Sequence, residues 1–365
     1  MKFLTLKPES FGLDISKLSL RFAKLKKRGK FFFLQSWGKT DLKPGIIEDG
    51  QVKDTAALAE AIRRGLEKIK GQRLKTKNVI ASLPEKKAFL QVIQMPKMER
   101  TELETALPFE AENYIPLPVE QVYLDFQRVL PMHNHLDHLD ILIAAVPKRV
   151  VDSYLISLKK AGLCPQALEV ESQSITRAVI KNGISPFPVL IIDFGRTSSS
   201  FIIFSGFSIR FTSSISISSQ KLTENISKFL KVDVKEAEKL KIKYGLRSRA
   251  KEGKRVSKAI SPVLLALTEE VKKYIKYYNT HRVHEHLPSG CREIRKILIC
   301  GRGANLKGFP DFLYSKLKIP VEIANPWINI LPEPLKEVPR LSYEESLGYT
   351  TALGLALRGI MNNEQ

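Results

Sequence analysis

Two stretches of the chain alternate between apolar and polar residues and are broken by short polar turns. Between residues 11 and 40 the alternation predicts a β-hairpin and a third strand, with the hairpin turn near Ser16–Lys17. Between 189 and 217 an apolar run is followed by two further strands. Each stretch therefore predicts three meandering strands, which suggests two related halves with a cleft between them.

An inserted module is predicted at about residues 78–168, in the order strand, strand, helix, strand, strand, helix. Thr101 and Glu104 have the spacing of a capping box for the first of these helices, and Pro116 and Pro118 follow its end. We therefore predict a first half at residues 1–185, a second half at 186–340 and a C-terminal helix at 341–365 that packs back on the first half.

Composition limits the class of protein. The chain has 365 residues, of which 43% are hydrophobic and 27% charged, and this excludes a disordered chain, a collagen and a disulfide scaffold. Lys and Arg number 59 against 38 Asp and Glu, a formal charge of +21. This charge indicates either an anionic neighbour or an ordinary lysine-rich surface.

The sequence carries no sign of export or of a membrane span. Its three cysteines are scattered, which favours structural thiols in a reducing compartment over a disulfide framework. The first ten residues lack the apolar core of a signal peptide, and no apolar run reaches the roughly 18 residues of a transmembrane helix. We therefore expect a cytoplasmic protein.

Three turns carry the candidate chemistry. Asp14 is predicted at the tip of the first hairpin, Asp193 at the tip of the second, and Gly301–Gly303 between a strand and a helix. Backbone N–H groups at such turns bind phosphate oxygens, and a glycine loop lets a nucleotide approach the backbone. An Asp at each tip can hold Mg²⁺ through water. Each turn alone is common, and their order within two related halves makes them informative.

Longer stretches carry a resemblance to a known family. FEAENYIPLPVEQVYLDFQ, AAVPKRVVDSYLISLKKAGLCPQALEVES and KFLKVDVKEAEKLK are similar to segments of the type IV pilus assembly protein PilM family, within the actin-like ATPase superfamily. The resemblance implies an α/β, actin-like (ribonuclease H-like, duplicated) two-domain fold with an inserted subdomain 1C. It also implies ATP and Mg²⁺ in the cleft and binding of the N-terminal cytoplasmic tail of a PilN-like membrane protein.

The resemblance assigns roles to individual residues. Asp14 and Asp193 would hold Mg²⁺, Glu171 would orient the attacking water, and Tyr114, Ile115 and Pro116 would lie at the partner groove. The residues assigned to nucleotide binding are Asp14, Ser16, Lys17, Arg21, Asp193, Gly195, Arg196, Thr197, Ser218, Ser219, Gly301, Arg302 and Gly303.

Several positions depart from the family pattern. Ser16 replaces a glycine of the first turn, Ser218–Ser219 replace a glycine pair, and Arg302 stands where the third loop usually has glycine. A serine at a helix start is a good N-cap, and Glu171 can also cap the helix that follows it. Arg302 can stack on adenine, reach phosphate or fill the pocket. These changes predict weakened phosphate positioning and slow or absent hydrolysis.

The predicted function is an actin-like scaffold that couples a PilN-like inner-membrane protein to the pilus assembly motor. The alternatives are an FtsA-like division protein, a sugar kinase, a nucleotide-free scaffold, and a nucleic-acid binder supported by charge alone. FtsA-like chains end in an amphipathic helix after a linker, whereas this chain ends directly after its closing helix. We expect no nucleic-acid partner and only indirect or weak electrostatic contact with the membrane.

The histidines form two clusters, one with His133, His135 and His138 and one with His281, His284 and His286. Histidine-rich tracts can bind zinc. These lie in predicted loops with no Cys-x-x-Cys partner, so a solvated loop is the favoured interpretation.

Overall fold

The computed structural model describes residues 9–29, 31–132, 137–248, 250–281, 287, 289–332 and 338–361. Its strands are β1 (Phe11–Ser16), β2 (Ser19–Arg28), β3 (Phe31–Asp41), β4 (Ile47–Glu48), β5 (Gln51–Val52), β6 (Lys70–Gly71), β7 (Asn78–Leu83), β8 (Phe89–Pro96), β9 (Val122–Val129), β10 (His138–Pro147), β11 (Cys164–Val170), β12 (Ser185–Phe194), β13 (Ser199–Gly206), β14 (Ser208–Ile215), β15 (Lys296–Cys300) and β16 (Val321–Ile323). Its helices are α1 (Thr55–Glu67), α2 (Arg100–Ala111), α3 (Lys148–Lys160), α4 (Glu171–Val179), α5 (Ser219–Leu230), α6 (Val234–Tyr244), α7 (Lys251–His281), α8 (Phe309–Leu317), α9 (Tyr343–Ser346) and α10 (Thr350–Met361).

The two predicted halves are built on two sheets of related topology. In the first sheet, with order β11-β7-β1-β2-β3-β6, the antiparallel meander β1–β2–β3 is flanked by β7, which runs parallel to β1. In the second, with order β14-β13-β12-β15-β16, the meander β12–β13–β14 is flanked by β15, parallel to β12. The same arrangement of strands therefore occurs twice, and it places the ends of β1 and β12 at the cleft.

A third sheet, with order β8-β10-β9, forms the insert together with α2. The insert is shorter than the predicted segment at about 78–168, because β7 and β11 pair with each other in the first sheet. It contacts the second half where β8 approaches β14.

Helix α2 begins earlier than predicted. The Glu99 N–H donates to Glu102 Oε2 at 2.9 Å, so the box uses this pair instead of Thr101 and Glu104. Glu104 instead pairs with the exposed Arg100 one turn earlier. A glutamate three residues after each candidate N-cap made the two registers hard to separate from sequence.

Small residues hold the closing helix against the first half. A Cβ on Gly12 of β1 would lie 2.7 Å from the Ala356 backbone nitrogen of α10, and a Cβ on Gly354 would overlap the carbonyl of Ser174 in α4. Glycine is therefore needed where these backbones approach. Among the helices that the structure describes, none is both long enough and apolar enough to cross a bilayer.

Candidate functional site

The two halves meet at a cleft lined by residues from the ends of β1 and β12. Asp14 in β1 pairs with Arg21 in β2, with 3.2 Å between Asp14 Oδ2 and Arg21 Nη1. Asp193 lies one residue before β12 ends. Both aspartates line one small cavity with Glu171, the first residue of α4. The structure thus brings the three predicted carboxylates together.

The first hairpin turn differs from its prediction in one respect. Asp14 does not lie at the tip: the tip is formed by Lys17 and Leu18, and Asp14 is buried three residues earlier in the strand. Ser16 lines the cavity, and its hydroxyl donates to the Ser19 carbonyl oxygen at 2.8 Å. Lys17 is exposed and is not part of the cavity wall. Asp14 lies within β1, where residues on both faces are buried, whereas Lys17 lies in the turn after the strand ends.

Burial raises the pKa of all three cavity carboxyls, and repulsion by neighbouring carboxylates adds to the shift for Asp193 and Glu171. Removal from water, with the nearby charge of Asp14, raises the pKa of Asp193 to about 6. Burial, and then Asp14 and Asp193, raise the pKa of Glu171 well above its usual range. Burial also raises the pKa of Asp14, although Arg21 opposes that shift. A cation brought among these carboxylates would therefore be held electrostatically.

Glu85, not Glu171, caps helix α4. Glu85 Oε2 accepts the N–H of Ser172 at 3.0 Å, and Glu171 Oε2 accepts the N–H of Glu85 at 3.4 Å. Burial raises the pKa of Glu85 as well. Glu171 therefore does not cap α4 and lies on the cavity wall instead. Glu85 is a fourth buried carboxyl next to it.

The second turn is held by its own backbone. The Gly195 N–H donates to the Ser198 carbonyl oxygen at 3.0 Å, and a Cβ on Gly195 would lie only 2.7 Å from that oxygen. Arg196 and Thr197 complete the turn and line the cavity. Glycine is required here because the chain folds back on itself.

Ser218 and Ser219, where the resemblance implied a glycine pair, form the start of α5. Ser218 is its N-cap, and Ser218 Oγ accepts the N–H of Lys221 at 3.4 Å. The Ser219 N–H donates to the Gly195 carbonyl oxygen at 3.0 Å, and Lys241 Nζ donates to Ser219 Oγ at 2.9 Å. These N–H groups are already used within the protein, so this helix start offers fewer donors to phosphate than the resemblance implied.

The glycine loop approaches Asp193 closely. Gly301 has φ +77°, and a Cβ there would overlap Asp193 Oδ1 and lie 2.8 Å from the Phe194 carbonyl oxygen. A Cβ on Gly303 would lie 2.6 Å from the same carbonyl oxygen. Arg302, between them, is exposed and lines the cavity. Both glycines are therefore required by space, and Gly301 also by conformation.

A larger cavity of about 810 Å³ opens next to the carboxylates. Its walls come from the first hairpin, the second turn, the glycine loop, α5 and α6. The basic residues that line it are Arg21, Lys39, Arg196, Lys235, Lys241, Arg302 and Lys307. Three acidic residues line it as well, so the net charge of the wall is positive and suits a polyanion.

Helix α6 contributes to this cavity, although no role in the site was predicted for it from the sequence. Lys241 is buried, with its Nζ 2.7 Å from Glu238 Oε2 and 2.8 Å from Thr223 Oγ1. Burial lowers the pKa of Lys241, and Glu238 opposes that shift. The available signal was the spacing of Glu238 and Lys241 in an amphipathic helix, which is also typical of an ordinary surface pair.

The residues assigned to the partner groove divide between surface and core. Tyr114 is 36% exposed and Pro116 is exposed, whereas Ile115 is buried in the core of the insert. Ile115 therefore supports this surface from below and cannot contact a partner directly.

No metal centre of protein ligands is found in the described part of the chain. No group of three or more His, Cys, Asp or Glu residues there could hold an ion directly. His133, His135, His284 and His286 lie outside the described residues. His138 stays within the insert, next to Asp137 and Gln94.

Comparison with known proteins agrees with this architecture. The model of the family described as type IV pilus assembly protein PilM matches residues 12–360. A solved PilM-PilN type IV pilus biogenesis complex is 27% identical, with 97% of this chain and 99% of that chain covered and a TM-score of 0.78. MreB5 of Spiroplasma citri bound to ADP is 12% identical over 98% of both chains, with a TM-score of 0.56. EutJ from Carboxydothermus hydrogenoformans is 14% identical over 96% of this chain and 89% of that chain, with a TM-score of 0.54. These similarities confirm the actin-like fold, and the chain belongs to the type IV pilus assembly protein PilM family.

Proposed function

We propose that this chain is an ATP-binding, actin-like scaffold of type IV pilus or related secretion machinery, which couples a PilN-like inner-membrane protein to the assembly motor. One observation carries the nucleotide part of the proposal. Asp14 and Asp193, on equivalent strands of the two halves, line a cavity beside a larger, positively charged one. A triphosphate with its metal ion matches this arrangement, because the positive ion would face the carboxylates and the negative phosphates would face the basic wall.

The residues present fit a hydrated Mg²⁺ ion. Asp14 and Asp193 would hold it through water, since no group of three or more His, Cys, Asp or Glu residues in the described part of the chain is arranged to ligate an ion directly. The bound ion would neutralise phosphate charge next to the carboxylates. Gly301 and Gly303 would let the nucleotide approach the backbone, and Arg302 and Lys241 would face it from the cavity wall.

Calorimetry tests this site. We expect ATP to bind in the presence of Mg²⁺ and to bind at least tenfold more weakly when Mg²⁺ is chelated or in the Asp193→Asn variant. Asp311→Asn is the matched control, because Asp311 is exposed in the same half and pairs with Arg247. Absence of binding to the unmodified chain at millimolar Mg²⁺ and ATP would leave a nucleotide-free scaffold.

Hydrolysis is expected to be slow. Glu171 lines the cavity, and burial with the charges of Asp14 and Asp193 raises its pKa. The start of α5 is occupied by internal hydrogen bonds. Phosphate release of several per second, lost in Glu171→Gln, would contradict this expectation.

The partner part of the proposal rests on similarity to the PilM-PilN complex over 97% of this chain. Tyr114 and Pro116 present a surface at the end of the insert helix. We expect Tyr114→Ala to weaken binding of a labelled peptide with the N-terminal cytoplasmic sequence of the PilN-like protein, with little change in melting temperature. Tyr314→Ala, an exposed tyrosine of the second half, is the control. Equal binding by both variants would exclude Tyr114 as an anchor.

Such a partner would bring the chain to the inner face of the plasma membrane. Each Lys or Arg near an anionic leaflet contributes about 1 kcal/mol of attraction, so the charge of +21 would assist recruitment. We expect weak, salt-sensitive sedimentation with anionic liposomes that strengthens when the peptide is displayed on them. Tight, salt-insensitive sedimentation without peptide would contradict indirect recruitment.

A further inference from the structure

The charge of the chain is distributed unevenly. The insert, residues 89–147, contains nine acidic and three basic residues, a formal charge of −6 in a chain of +21. The excess of positive charge therefore belongs to the two halves, and the insert is an acidic region attached to a basic body. Opposite charges on separate parts of one molecule favour contact between copies when shape allows it.

One face of α2 combines this acidity with an exposed aromatic ring. Glu102, Thr105, Phe109 and Glu112 follow one another at helical spacing, and all four are exposed. Phe109 is 74% exposed, whereas Phe229, the next most exposed phenylalanine of the described residues, is 47% exposed. The opposite face of the helix is buried in the insert core. A large ring held in water between carboxylates is typical of a contact surface.

A groove of complementary character lies on the second half, between α7, α8 and the segment leading to β16. It has a volume of about 320 Å³. Its apolar floor and basic walls are formed by Ile275, Leu317, Ile319, Lys272, Lys276 and Lys316. No carboxylate is among the described residues that line it.

These two surfaces cannot meet within one chain. The insert contacts the second sheet at β14, and the groove lies by β16, at the opposite edge of the same five-stranded sheet. Adjacent strands are spaced by about 4.8 Å, so the sheet alone separates the two edges by roughly 19 Å. A contact between different surfaces of identical chains is heterologous and leaves both ends of the assembly free.

We propose that the α2 face of one copy docks in the α7–α8 groove of a second copy, which produces head-to-tail assemblies. Phe109 of one copy covers the apolar floor formed by Ile275 and Leu317 of the next. Glu102 and Glu112 face the lysines of the groove walls. The contact requires neither nucleotide nor the PilN-like peptide.

The test uses two variants that each remove one surface. Phe109→Ser with Glu112→Lys alters the α2 face, and Lys276→Glu with Lys316→Glu alters the groove. All four side chains are exposed or line the groove, so melting temperatures should change little. Phe229→Ser, an exposed phenylalanine on α5, is the matched control.

Sedimentation velocity at rising protein concentration and low salt gives the result. The unmodified chain and the Phe229→Ser control should form a ladder of oligomers that dissociates at high salt, and each two-site variant should be at least tenfold weaker in self-association. An equimolar mixture of the two variants should form dimers and nothing larger, because it retains one intact surface of each kind. Monomeric behaviour of the unmodified chain at high concentration and low salt would overturn the proposal. Oligomers that both variants still form would also overturn it.

Discussion

The two cleft aspartates occupy corresponding places in the two halves but have different neighbours. Asp14 is paired across the hairpin with Arg21, and Ser82 of the adjacent parallel strand lies 3.4 Å from Asp14 Oδ1. Its negative charge thus faces a partly buried guanidinium and a hydroxyl. Burial still raises the pKa of Asp14, so Arg21 and Ser82 compensate its charge only in part.

Asp193 has no cation at the corresponding position. Ser200 stands opposite it in the β12–β13 pair, and the adjacent parallel strand supplies the Cys300 thiol, 3.8 Å from Asp193 Oδ1. A thiol is a weak donor, and burial next to Asp193 raises the pKa of Cys300 well above its usual range. The halves therefore differ: Asp14 has a paired cation in its own strand pair, whereas Asp193 has none there and is reached by the charge of Arg21 from the other half.

The largest effect on stability is expected at Gly301, which lies beside Asp193. Gly301→Ala should lower the free energy of unfolding by roughly 4 kcal/mol, because the methyl group meets Asp193 and Phe194 at positive φ. Gly45→Ala is the control that measures backbone strain without a steric clash. Gly45 also has positive φ, but nothing lies within 4 Å of its Cβ position. Chemical denaturation should give about 1 kcal/mol for the control. Equal losses would mean that the loop does not press on Asp193.

Removing the cation of the first half should destabilise the protein. Arg21→Gln leaves Asp14 buried beside two other carboxyls, and we expect a loss of about 3 kcal/mol at pH 8. Lys39→Gln is the matched control, since Lys39 pairs with the exposed Asp41 at the same cleft. Its loss should stay below about 1 kcal/mol. A small loss in both variants would remove the contrast between the halves.

Neutralising Asp193 should raise the free energy of unfolding of the nucleotide-free protein. Asp193→Asn removes a carboxylate with no cation opposite it, so the nucleotide-free protein should gain roughly 1–3 kcal/mol of unfolding free energy at pH 8. The pKa of Asp193 is raised, so the folded state binds this proton more tightly than the unfolded state. The gain should therefore grow as pH rises through about 6 and disappear near pH 4. A gain independent of pH would assign the effect to something other than this charge.

Much of this site could be predicted from the sequence, and the remainder depends on long-range contacts. The alternating strands, Asp14, Asp193 and the loop at Gly301 were predicted, because local periodicity and turn residues specify them. Glu85 was missed, since it caps a helix that begins 86 residues later in the chain. Contacts of that separation leave no periodic signal.

The same limit explains why the burial of Ile115, the N-cap of α5 and the position of Lys241 were not settled by the sequence. Ile115 follows α2 in a stretch that mixes apolar and polar residues, and the folded insert shows that it is core and not a partner contact. The sequence left open whether Ser218 or Ser219 caps α5, and the structure gives the cap to Ser218. Lys241 and Glu238 have the spacing of a surface pair, and only the packing of α5 on α6 turns them toward the cavity.

We infer that Asp193 lacks a paired cation in its own half and that Mg²⁺ with ATP supplies one. Thermal unfolding of the unmodified chain and of Asp193→Asn, each with and without saturating Mg²⁺ and ATP, tests it most directly. A ligand that binds the folded state adds stability according to its affinity. We predict that the melting temperatures cross: Asp193→Asn should melt above the unmodified chain without ligand and below it with ligand. Parallel shifts, in which the ligand stabilises both proteins equally, would contradict the account.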